Sequence, residues 1–321
     1  MVRFNFDISK LNKLDRYKDT FPSLVINDVA DFNNPKNDSI YFINSEKYLK
    51  QVDFSNSLVL CHHSIDIEKF DKSNFIYECG NPRLEYAIIM NEIIKHMPSK
   101  KYKILKNTSV IGENTIIGEN TIIEPGAFVD EDVELGPNCY IQSGARIYSR
   151  VKIGDNSIIG ANSTIGLSGF AVESDETGYS YRIPHLGGVV VGKNVNISSL
   201  CNIHAGTIHP TILEDNVQLD ALVHIAHNCH LKNGVFIAAC AELSGSVVIN
   251  EKTFIGPNSS IINKISIGSS SVVGIGSTVT KTFPDKSVIA GNPADFTHNL
   301  AKKSRIIKDL MKTLNANEDK A

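Results

Sequence analysis

An aliphatic residue recurs at every sixth position over more than half of this 321-residue chain. A first run holds eleven such positions, from 105 to 165, a second holds three, from 191 to 203, and a third holds twelve, from 213 to 279. Glycine often follows the aliphatic residue, and a small or β-branched residue often lies four positions after it. A period of six matches neither an α-helix, with 3.6 residues per turn, nor a simple strand, with a period of two.

Repetition at this spacing predicts a solenoid. Three short strands joined by tight turns make one triangular coil of eighteen residues, and every sixth aliphatic side chain then points into a shared core. Glycine and asparagine suit the turns because they adopt positive φ readily. Twenty-six units of six residues make between eight and nine coils. The sequence therefore predicts a mainly β fold, a left-handed parallel β-helix, over residues 101–295.

The two ends of the chain lack this period. Residues 1–100 predict a small α/β domain, with strands at 57–61 and 75–77. A helix is predicted to begin at Asn81-Pro82, where Asn caps the helix and Pro occupies its first turn, and to end near Pro98.

The last segment, 296–321, predicts a C-terminal helix and a tail. Residues 297–314 have an amphipathic pattern, with apolar residues on one side and several lysines on the rest. This helix would either pack on neighbouring subunits or bind an acidic carrier protein or the phosphates of coenzyme A. Residues 315–321 predict a disordered tail.

Composition favours a soluble globular protein over a membrane or nucleic-acid-binding one. The chain is 42% hydrophobic and 21% charged, with a formal net charge of −3, which gives no support for nucleic acid as a partner. No apolar stretch is long enough for a membrane span, and the first residues lack the apolar segment of a signal peptide. Six cysteines without CxxC spacing predict reduced thiols and a cytoplasmic location.

Two N-terminal motifs carry a resemblance to a known family. Phe42-Ile-Asn-Ser-Glu-Lys-Tyr48 and Asn81-Pro-Arg-Leu-Glu-Tyr-Ala87 resemble the uridine-binding domain of the UDP-3-O-acylglucosamine N-acyltransferases, hexapeptide-repeat enzymes of lipid A synthesis. The resemblance implies that Phe42 and Tyr48 flank the base of a nucleotide and that Ser45 contacts the nucleotide in place of the family's Asn. The base, UDP or dTDP, stays open. Alternatively, both aromatic residues belong to an ordinary core.

Residues 166–190 interrupt the period with a polar, glycine-rich sequence. A long excursion from a repeat is typical of a functional loop. Gly169-Phe170 and the segment around Pro184-His185 resemble the insertion that helps to close the family's active site, with His185 in place of the family's Gln. These four residues are therefore predicted to form an acceptor loop.

The segment Leu219-Asp-Ala-Leu-Val-His-Ile-Ala-His-Asn228 resembles the sequence around the family's catalytic histidine. The resemblance places that histidine at His227, with Asp220 matched and His224 in place of a Gln. Formation of an amide from a thioester requires a base, and histidine, with a pKa near 6.5, suits this role. His227 is the predicted general base, Asp220 its predicted orienting group, and His224 the rival base.

The end of the solenoid resembles a second group, the coenzyme A-dependent sugar acetyltransferases. The glycine-rich turns at Gly274, Gly276 and Gly291 would let a pantetheine arm approach the backbone, and Lys281 would lie near the nucleotide phosphates. Lys264 stands where the N-acyltransferases have a further histidine. These residues predict donor binding, with acyl-coenzyme A as a co-substrate and no tightly bound cofactor.

Five histidines lie between 204 and 230, which raises the question of a metal site. One carbonic anhydrase class with this fold binds zinc through three histidines at subunit interfaces. Ligands within one subunit should lie on neighbouring coils, eighteen residues apart, and only His209 and His227 have that spacing. No metal is predicted.

These observations predict an enzyme that N-acylates a nucleotide-linked amino sugar for surface polysaccharide, with acyl-coenzyme A, most simply acetyl-coenzyme A, as the donor. One alternative is a lipid A UDP-3-O-acylglucosamine N-acyltransferase with a 3-hydroxyacyl carrier protein as the donor. Another is a solenoid without catalytic activity that binds sugar nucleotides. A three-sided prism also predicts a homotrimer, because its flat faces can pack around a threefold axis.

Overall fold

The computed structural model describes residues 4–30, 32, 35–46, 53–96, 109–174 and 176–318. The chain divides into two compact units, Met1–Tyr102 and Lys103–Ala321. In the first unit a pair of antiparallel strands, β1 (Phe6–Asp7) and β2 (Val25–Ile26), precedes a parallel sheet. The strands of this sheet, in order, are β3 (Asp28–Val29), β4 (Ser39–Ile43), β5 (Leu58–His62) and β6 (Phe75–Cys79).

The predicted helix follows this sheet as α1, Pro82–Lys95. The Asn81 side chain accepts a hydrogen bond from the backbone N–H of Leu84, which is the predicted cap. Both predicted strands are present as β5 and β6. A buried carboxylate, Glu85, accepts hydrogen bonds from Arg16 and Tyr17 and so ties α1 to the N-terminal segment.

The second unit is the predicted parallel β-helix, built from three flat faces. Its first face contains β7 (Val110–Ile111), β10 (Phe128–Val129), β13 (Arg146–Ile147), β16 (Thr164–Leu167), β21 (Asn202–His204), β24 (His224–Ile225), β27 (Glu242–Leu243), β30 (Ser260–Ile261) and β33 (Thr278–Val279). Its second face contains β8 (Ile116–Ile117), β11 (Glu134–Leu135), β14 (Val151–Ile153), β19 (Val189–Val191), β22 (Thr211–Leu213), β25 (His230–Leu231), β28 (Val248–Ile249) and β31 (Ser266–Ile267). Its third face contains β9 (Ile122–Ile123), β12 (Tyr140–Ile141), β15 (Ile158–Ile159), β20 (Asn196–Ile197), β23 (Gln218–Leu219), β26 (Phe236–Ile237), β29 (Phe254–Ile255), β32 (Val272–Val273), β34 (Val288–Gly291) and the antiparallel β35 (Ala294–Phe296).

The six-residue period corresponds to the inward-pointing side chains. From Val129 to Val279 every periodic aliphatic residue is at most 3% exposed and belongs to one continuous core. In the first described coil, by contrast, Ile111 and Ile117 are 46% and 41% exposed, because no described residue stacks beneath them. Leu105 lies outside the described residues.

The turns need positive φ, as predicted, but the residues there are not only glycine and asparagine. Leu200 has a φ of 60° and its side chain is 52% exposed. A left-handed conformation costs a residue with a Cβ about 1–2 kcal/mol, and asparagine tolerates it better. Leu200 therefore lies in an unfavourable conformation without full burial to offset the cost.

We expect Leu200→Asn to raise the melting temperature by about 2 °C, because it removes most of that conformational cost. The matched control is Ile208→Asn, at an aliphatic residue that is 82% exposed and is not among those with positive φ. Thermal unfolding of both variants measures the difference. An equal shift in the two variants would show that surface polarity, and not φ, sets the result.

Two interruptions of the repeat lie on the same edge of the prism, between the first and second faces. The excursion after β16 contains an antiparallel hairpin, β17 (Val172–Ser174) and β18 (Ser180–Arg182). One coil later, the segment between β21 and β22 holds the four-residue slip. Gly187 and Leu186 donate backbone hydrogen bonds to Gly206 and Thr207, so the two interruptions pack against each other.

Helix α2, Thr297–Glu318, follows β35. It extends past the predicted end at 314, so the prediction of a disordered tail is wrong for residues 315–318; residues 319–321 lie outside the described residues. Residues 301–311 of α2 are exposed throughout, including Ile306, Ile307, Leu310 and Met311.

Candidate active site

His227 lies on the interrupted edge of the prism, in the turn between β24 and β25. Its coil follows directly after the coil that holds the four-residue slip. The side chain is half-buried, and its backbone carbonyl accepts a hydrogen bond from the N–H of Ser246 one coil above. The two interruptions and His227 therefore occupy neighbouring positions along one edge.

Asn228 sets the orientation of the His227 ring. Its Oδ1 lies 3.0 Å from His227 Nδ1 and also accepts hydrogen bonds from the N–H and the hydroxyl of Thr207, at 3.2 and 2.7 Å. Its Nδ2 donates to the carbonyl of His209 at 3.0 Å, which fixes the direction of the amide. Because Oδ1 can only accept, Nδ1 carries the ring hydrogen and Nε2 presents a lone pair.

Two glycines enclose the imidazole of His227. A Cβ added at Gly245 would lie 2.7 Å from Cε1 and Nε2, and one at Gly169 would lie 3.2 Å from Cβ and Cδ2. Any side chain at Gly245 would collide with the ring nitrogen that has the lone pair. Both glycines therefore permit a close approach of backbone to the ring, and Gly169 brings the predicted acceptor loop to His227.

His185, also predicted for the acceptor loop, lies against His227 with 5.0 Å between the ring centroids. It is 5% exposed, and its Nδ1 lies 3.1 Å from the Ser168 hydroxyl. Burial, followed by the nearby His227 ring, lowers the pKa of His185. A neutral imidazole therefore lies beside the candidate base at neutral pH.

His204 and His224 extend this group along the first face, with ring centroids 4.8 Å apart in an edge-to-face arrangement. Burial lowers the pKa of His224, and burial together with the neighbouring histidines lowers the pKa of His204 to about 4. His224, the predicted rival base, thus points outward from β24 and contacts His204, whereas His227 lies on the edge between the first and second faces.

Asp220, the predicted orienting group, lies elsewhere. It follows β23 at the edge between the third and first faces, and its carboxylate accepts a hydrogen bond from the N–H of Ala221 at 2.7 Å. The residue that orients His227 in the structure is Asn228. His227 is seven positions after Asp220, slightly more than the six of one side of the coil, so the two leave the prism at different edges.

The rest of the acceptor loop is at the surface. Phe170 is 75% exposed and lies under the guanidinium of Arg182, 5.5 Å from its ring centroid. Arg182 also donates a hydrogen bond to the Gly169 carbonyl at 3.3 Å. Pro184 is exposed beside His185. The loop thus presents an aromatic ring and a cation next to the histidines.

The predicted donor residues divide into two places. Lys264 is exposed on the same edge as His227, and its N–H donates to the Gly245 carbonyl at 3.0 Å. Gly274 and Gly276 follow β32 on a different edge, and Gly291 ends β34. Of the five predicted donor-binding residues, Lys264 is the one next to Gly245, which encloses the imidazole of His227.

Lys281 makes an ion pair with Asp295, at 3.7 Å, and Lys303 pairs with the same carboxylate at 3.1 Å. The backbone N–H of Phe296 and these lysines lower the pKa of Asp295 to about 2. Lys281 therefore already has an anionic partner at neutral pH.

Of the predicted nucleotide-binding residues, Phe42 is 40% exposed and packs against Tyr86, with ring centroids 4.9 Å apart. Ser45 is half-buried, and Tyr48 lies outside the described residues. Phe42 is thus not an ordinary core residue.

In the part of the chain that the structure describes, no three His, Cys, Asp or Glu side chains are arranged to hold a metal ion, and no helix is long and apolar enough to cross a membrane.

We expect Asn228→Ala to lower kcat by about ten- to a hundredfold, because the ring tautomer would no longer be set. The melting temperature should also fall, since Thr207 N–H and the His209 carbonyl lose their partner. Steady-state kinetics and thermal unfolding measure the two effects. The control is Thr207→Val, which removes only one of the donors to Asn228 Oδ1 and should keep a kcat near that of wild type. If Asn228→Ala has the same kcat as wild type, Asn228 does not orient the ring.

The repeats match known sequence families. The pattern described as bacterial transferase hexapeptide (six repeats) matches residues 132–167 and 210–245, and the hexapeptide repeat of succinyl-transferase matches 109–149 and 246–281.

Two proteins that are similar to about half of this chain are named as acyltransferases. A UDP-3-O-acylglucosamine N-acyltransferase from Janthinobacterium sp. is 28% identical over 58% of this chain and 57% of its own length. A protein of the same name from Coxiella burnetii is 30% identical over 52% of this chain and 54% of its own length. The chain therefore contains hexapeptide repeats and is similar to the UDP-3-O-acylglucosamine N-acyltransferases. The predicted resemblance is therefore confirmed, and the chain spans about half the length of these relatives.

Among solved structures, the UDP-N-acetylglucosamine acyltransferase from Campylobacter jejuni has a TM-score of 0.54 and 29% sequence identity, over 59% of this chain and 72% of its own. The predicted β-helix is confirmed by the three stacked faces and by this similarity.

Sequence reasoning missed Asn228, Thr207 and Gly245 as parts of the site. Gly245 could have been found, because it lies eighteen residues, or one coil, after His227.

Proposed function

We propose that the protein is an amide-forming acyltransferase, which moves an acyl group from a thioester to the amine of a nucleotide-linked amino sugar. One observation carries the proposal. His227 has its Nδ1–H hydrogen-bonded to Asn228 and its Nε2 beside Gly245, in a motif shared with the N-acyltransferase resemblance. A neutral imidazole with a free Nε2 is the arrangement that a general base needs.

The reaction follows from this geometry. The amine nitrogen attacks the thioester carbonyl while His227 Nε2 takes one of its hydrogens. The C–S bond then breaks, and the imidazolium returns the proton to the thiolate sulfur, which leaves an amide and a free thiol. The N–H of Gly245 donates to no described residue, and it is our candidate donor to the negatively charged oxygen of the tetrahedral intermediate.

For the acceptor, we favour a UDP-linked, 3-O-acylated glucosamine. The relatives are named for this substrate, and the exposed Phe42 on the first unit offers an apolar face to a nucleobase. The sequence alone left the sugar and the base open.

For the donor, we favour a 3-hydroxyacyl thioester on a carrier protein. The comparisons support this lipid A alternative and not the acetyl-coenzyme A donor that was first predicted. In addition, Lys281, the predicted phosphate contact, already pairs with Asp295. The exposed lysine side chains of α2 suit an acidic carrier.

The predicted homotrimer and the cytoplasmic location form part of the proposal. On the third face, Phe236, Phe254, Val272 and Val288 form a row of apolar side chains that are 41–50% exposed. A row of this kind is a surface that copies of the chain can bury against one another. Sedimentation equilibrium that gave a monomer at micromolar concentration would contradict the trimer.

The test of the proposed function is an incubation of the wild-type protein with a panel of UDP- and dTDP-linked amino sugars. Each is paired with 3-hydroxyacyl carrier protein and, separately, with acetyl-coenzyme A, and the products are identified by mass spectrometry. We expect acylation of the UDP-linked, 3-O-acylated glucosamine from the carrier protein. Thermal stabilisation by nucleotide sugars without turnover of any pair would instead support a binding protein.

A further inference from the structure

Two buried side-chain atoms among the described residues have no hydrogen-bond partner, His185 Nε2 and Asn202 Oδ1. The first belongs to the group of histidines at the interrupted edge, and the second lies on the first face, two residues before His204. Asn202 pairs with His224 between β21 and β24, and the His185 ring lies 5.0 Å from that of His227. A buried polar atom without a partner is costly, so His185 Nε2, beside His227, indicates a place where a ligand can supply a hydrogen.

The partners of His185 determine which kind of hydrogen bond its free nitrogen can make. Nδ1 lies 3.1 Å from the Ser168 hydroxyl, and Nε2 has no partner. A hydroxyl can accept as well as donate, so Nδ1–H can donate to Ser168. With the ring hydrogen on Nδ1, Nε2 has a lone pair and accepts a hydrogen.

His227 is arranged in the same way. Its Nδ1–H is taken by Asn228, and its Nε2 is a bare acceptor beside Gly245. A side chain at Gly169 would lie 3.0 Å from His185 Nε2 and 3.2 Å from His227 Cδ2, so both rings adjoin the same segment of backbone. The site thus brings two imidazoles together, and in each of them Nε2 is the nitrogen left for a ligand.

We propose that His185 accepts the second hydrogen of a primary amine and thereby selects an amine over a hydroxyl as the acceptor. This inference rests on the proposed acyl transfer at His227. Nε2 is buried beside Gly169, so the amine can bind it only when this backbone moves outward.

The chemistry of the two nucleophiles explains the selection. A neutral amine has two hydrogens: His227 removes one during the attack, and the other stays on nitrogen and becomes the amide hydrogen. With that second hydrogen bonded to His185, the nitrogen lone pair is directed at the thioester carbonyl. A hydroxyl has one hydrogen, which His227 takes, so its oxygen lone pair would face the lone pair of His185.

The experiment compares two acceptors with three proteins. The acceptors are UDP-3-O-acylglucosamine and its analogue with a hydroxyl in place of the amine, and the donor is 3-hydroxyacyl carrier protein. The proteins are wild type, His185→Phe, which keeps a ring but has no acceptor atom, and His185→Gln, which keeps a carbonyl acceptor. The readout is the ratio of kcat/KM for amine over hydroxyl, measured on protein whose folding is checked by thermal unfolding.

We expect a strong preference of the wild type for the amine, a ratio about ten- to a hundredfold lower in His185→Phe, and a ratio close to that of wild type in His185→Gln. A purely structural role for His185 would lower both rates by the same factor and leave the ratio unchanged, which would overturn the proposal. Wild-type protein that acylates the hydroxyl analogue as well as the amine would also overturn it, while acyl transfer itself would stand. If the wild type turns over neither acceptor, the proposed function is wrong and this inference fails with it.

Discussion

His227→Asn is expected to lower turnover at least about a hundredfold while the melting temperature and the oligomeric state stay close to those of wild type. Asparagine retains a hydrogen-bonding group near the corner but cannot take a proton from the attacking amine at neutral pH. Loss of a positioned general base typically lowers the rate by a factor of about 10² to 10⁴. The measurement is steady-state kcat with saturating acceptor and donor, together with thermal unfolding of the same samples.

His224→Asn is the matched control for this prediction. His224 lies three residues earlier on the first face, contacts His204, and has a pKa lowered by burial. We expect it to retain far more turnover than His227→Asn. If His224→Asn is inactive and His227→Asn is active, the role of base belongs to His224 and the assignment made here is wrong.

Gly245→Ala is expected to lower turnover by about a hundredfold or more. The added methyl group would lie 2.7 Å from Nε2 of His227, so the ring must move from its position or the methyl must occupy the space of the reacting atoms. A displacement of about 1 Å at a reacting centre can cost a factor of about 10². The expected signature is a loss of kcat in a protein that still forms the solenoid.

Gly80→Ala is the control for the substitution itself, because a Cβ at Gly80 meets nothing within 4 Å. It should retain wild-type turnover and stability. Circular dichroism and thermal unfolding of Gly245→Ala establish whether the coil is intact. Wild-type turnover in an intact Gly245→Ala protein would show that Nε2 of His227 does not need the space beside this glycine.

The fold was predictable from the sequence because one physical requirement, an aliphatic side chain pointing inward at each strand, repeats along the chain. The buried positions from Val129 to Val279 follow directly from that period. The same period predicted that the excursion at 166–190 leaves the repeat. The extent of α2 was less predictable, because an exposed helix has no core contacts that mark its end.

The site was predictable only in part. His227 and His185 came from motif resemblance, but the period of six does not say which polar side chain will meet another at a corner. Asn228 contacts Thr207 and the His209 carbonyl, which belong to the irregular slip one coil earlier. Asp220 lies on a different edge from His227 within the chain, because it precedes His227 by slightly more than one side of the coil. Contacts made by an irregular segment leave no periodic signal in the sequence.

The central claim, amide formation at His227, is tested most directly with an acceptor labelled with ¹⁵N at its amine. The labelled UDP-3-O-acylglucosamine is incubated with 3-hydroxyacyl carrier protein and either wild type or His227→Asn, and the product is observed by ¹H–¹⁵N correlation NMR. With wild type we predict a new amide signal that grows as thiol is released, and with His227→Asn growth at least about a hundredfold slower. Acylated product that retains the signal of a free amine, or equal rates for the two proteins, would contradict the account.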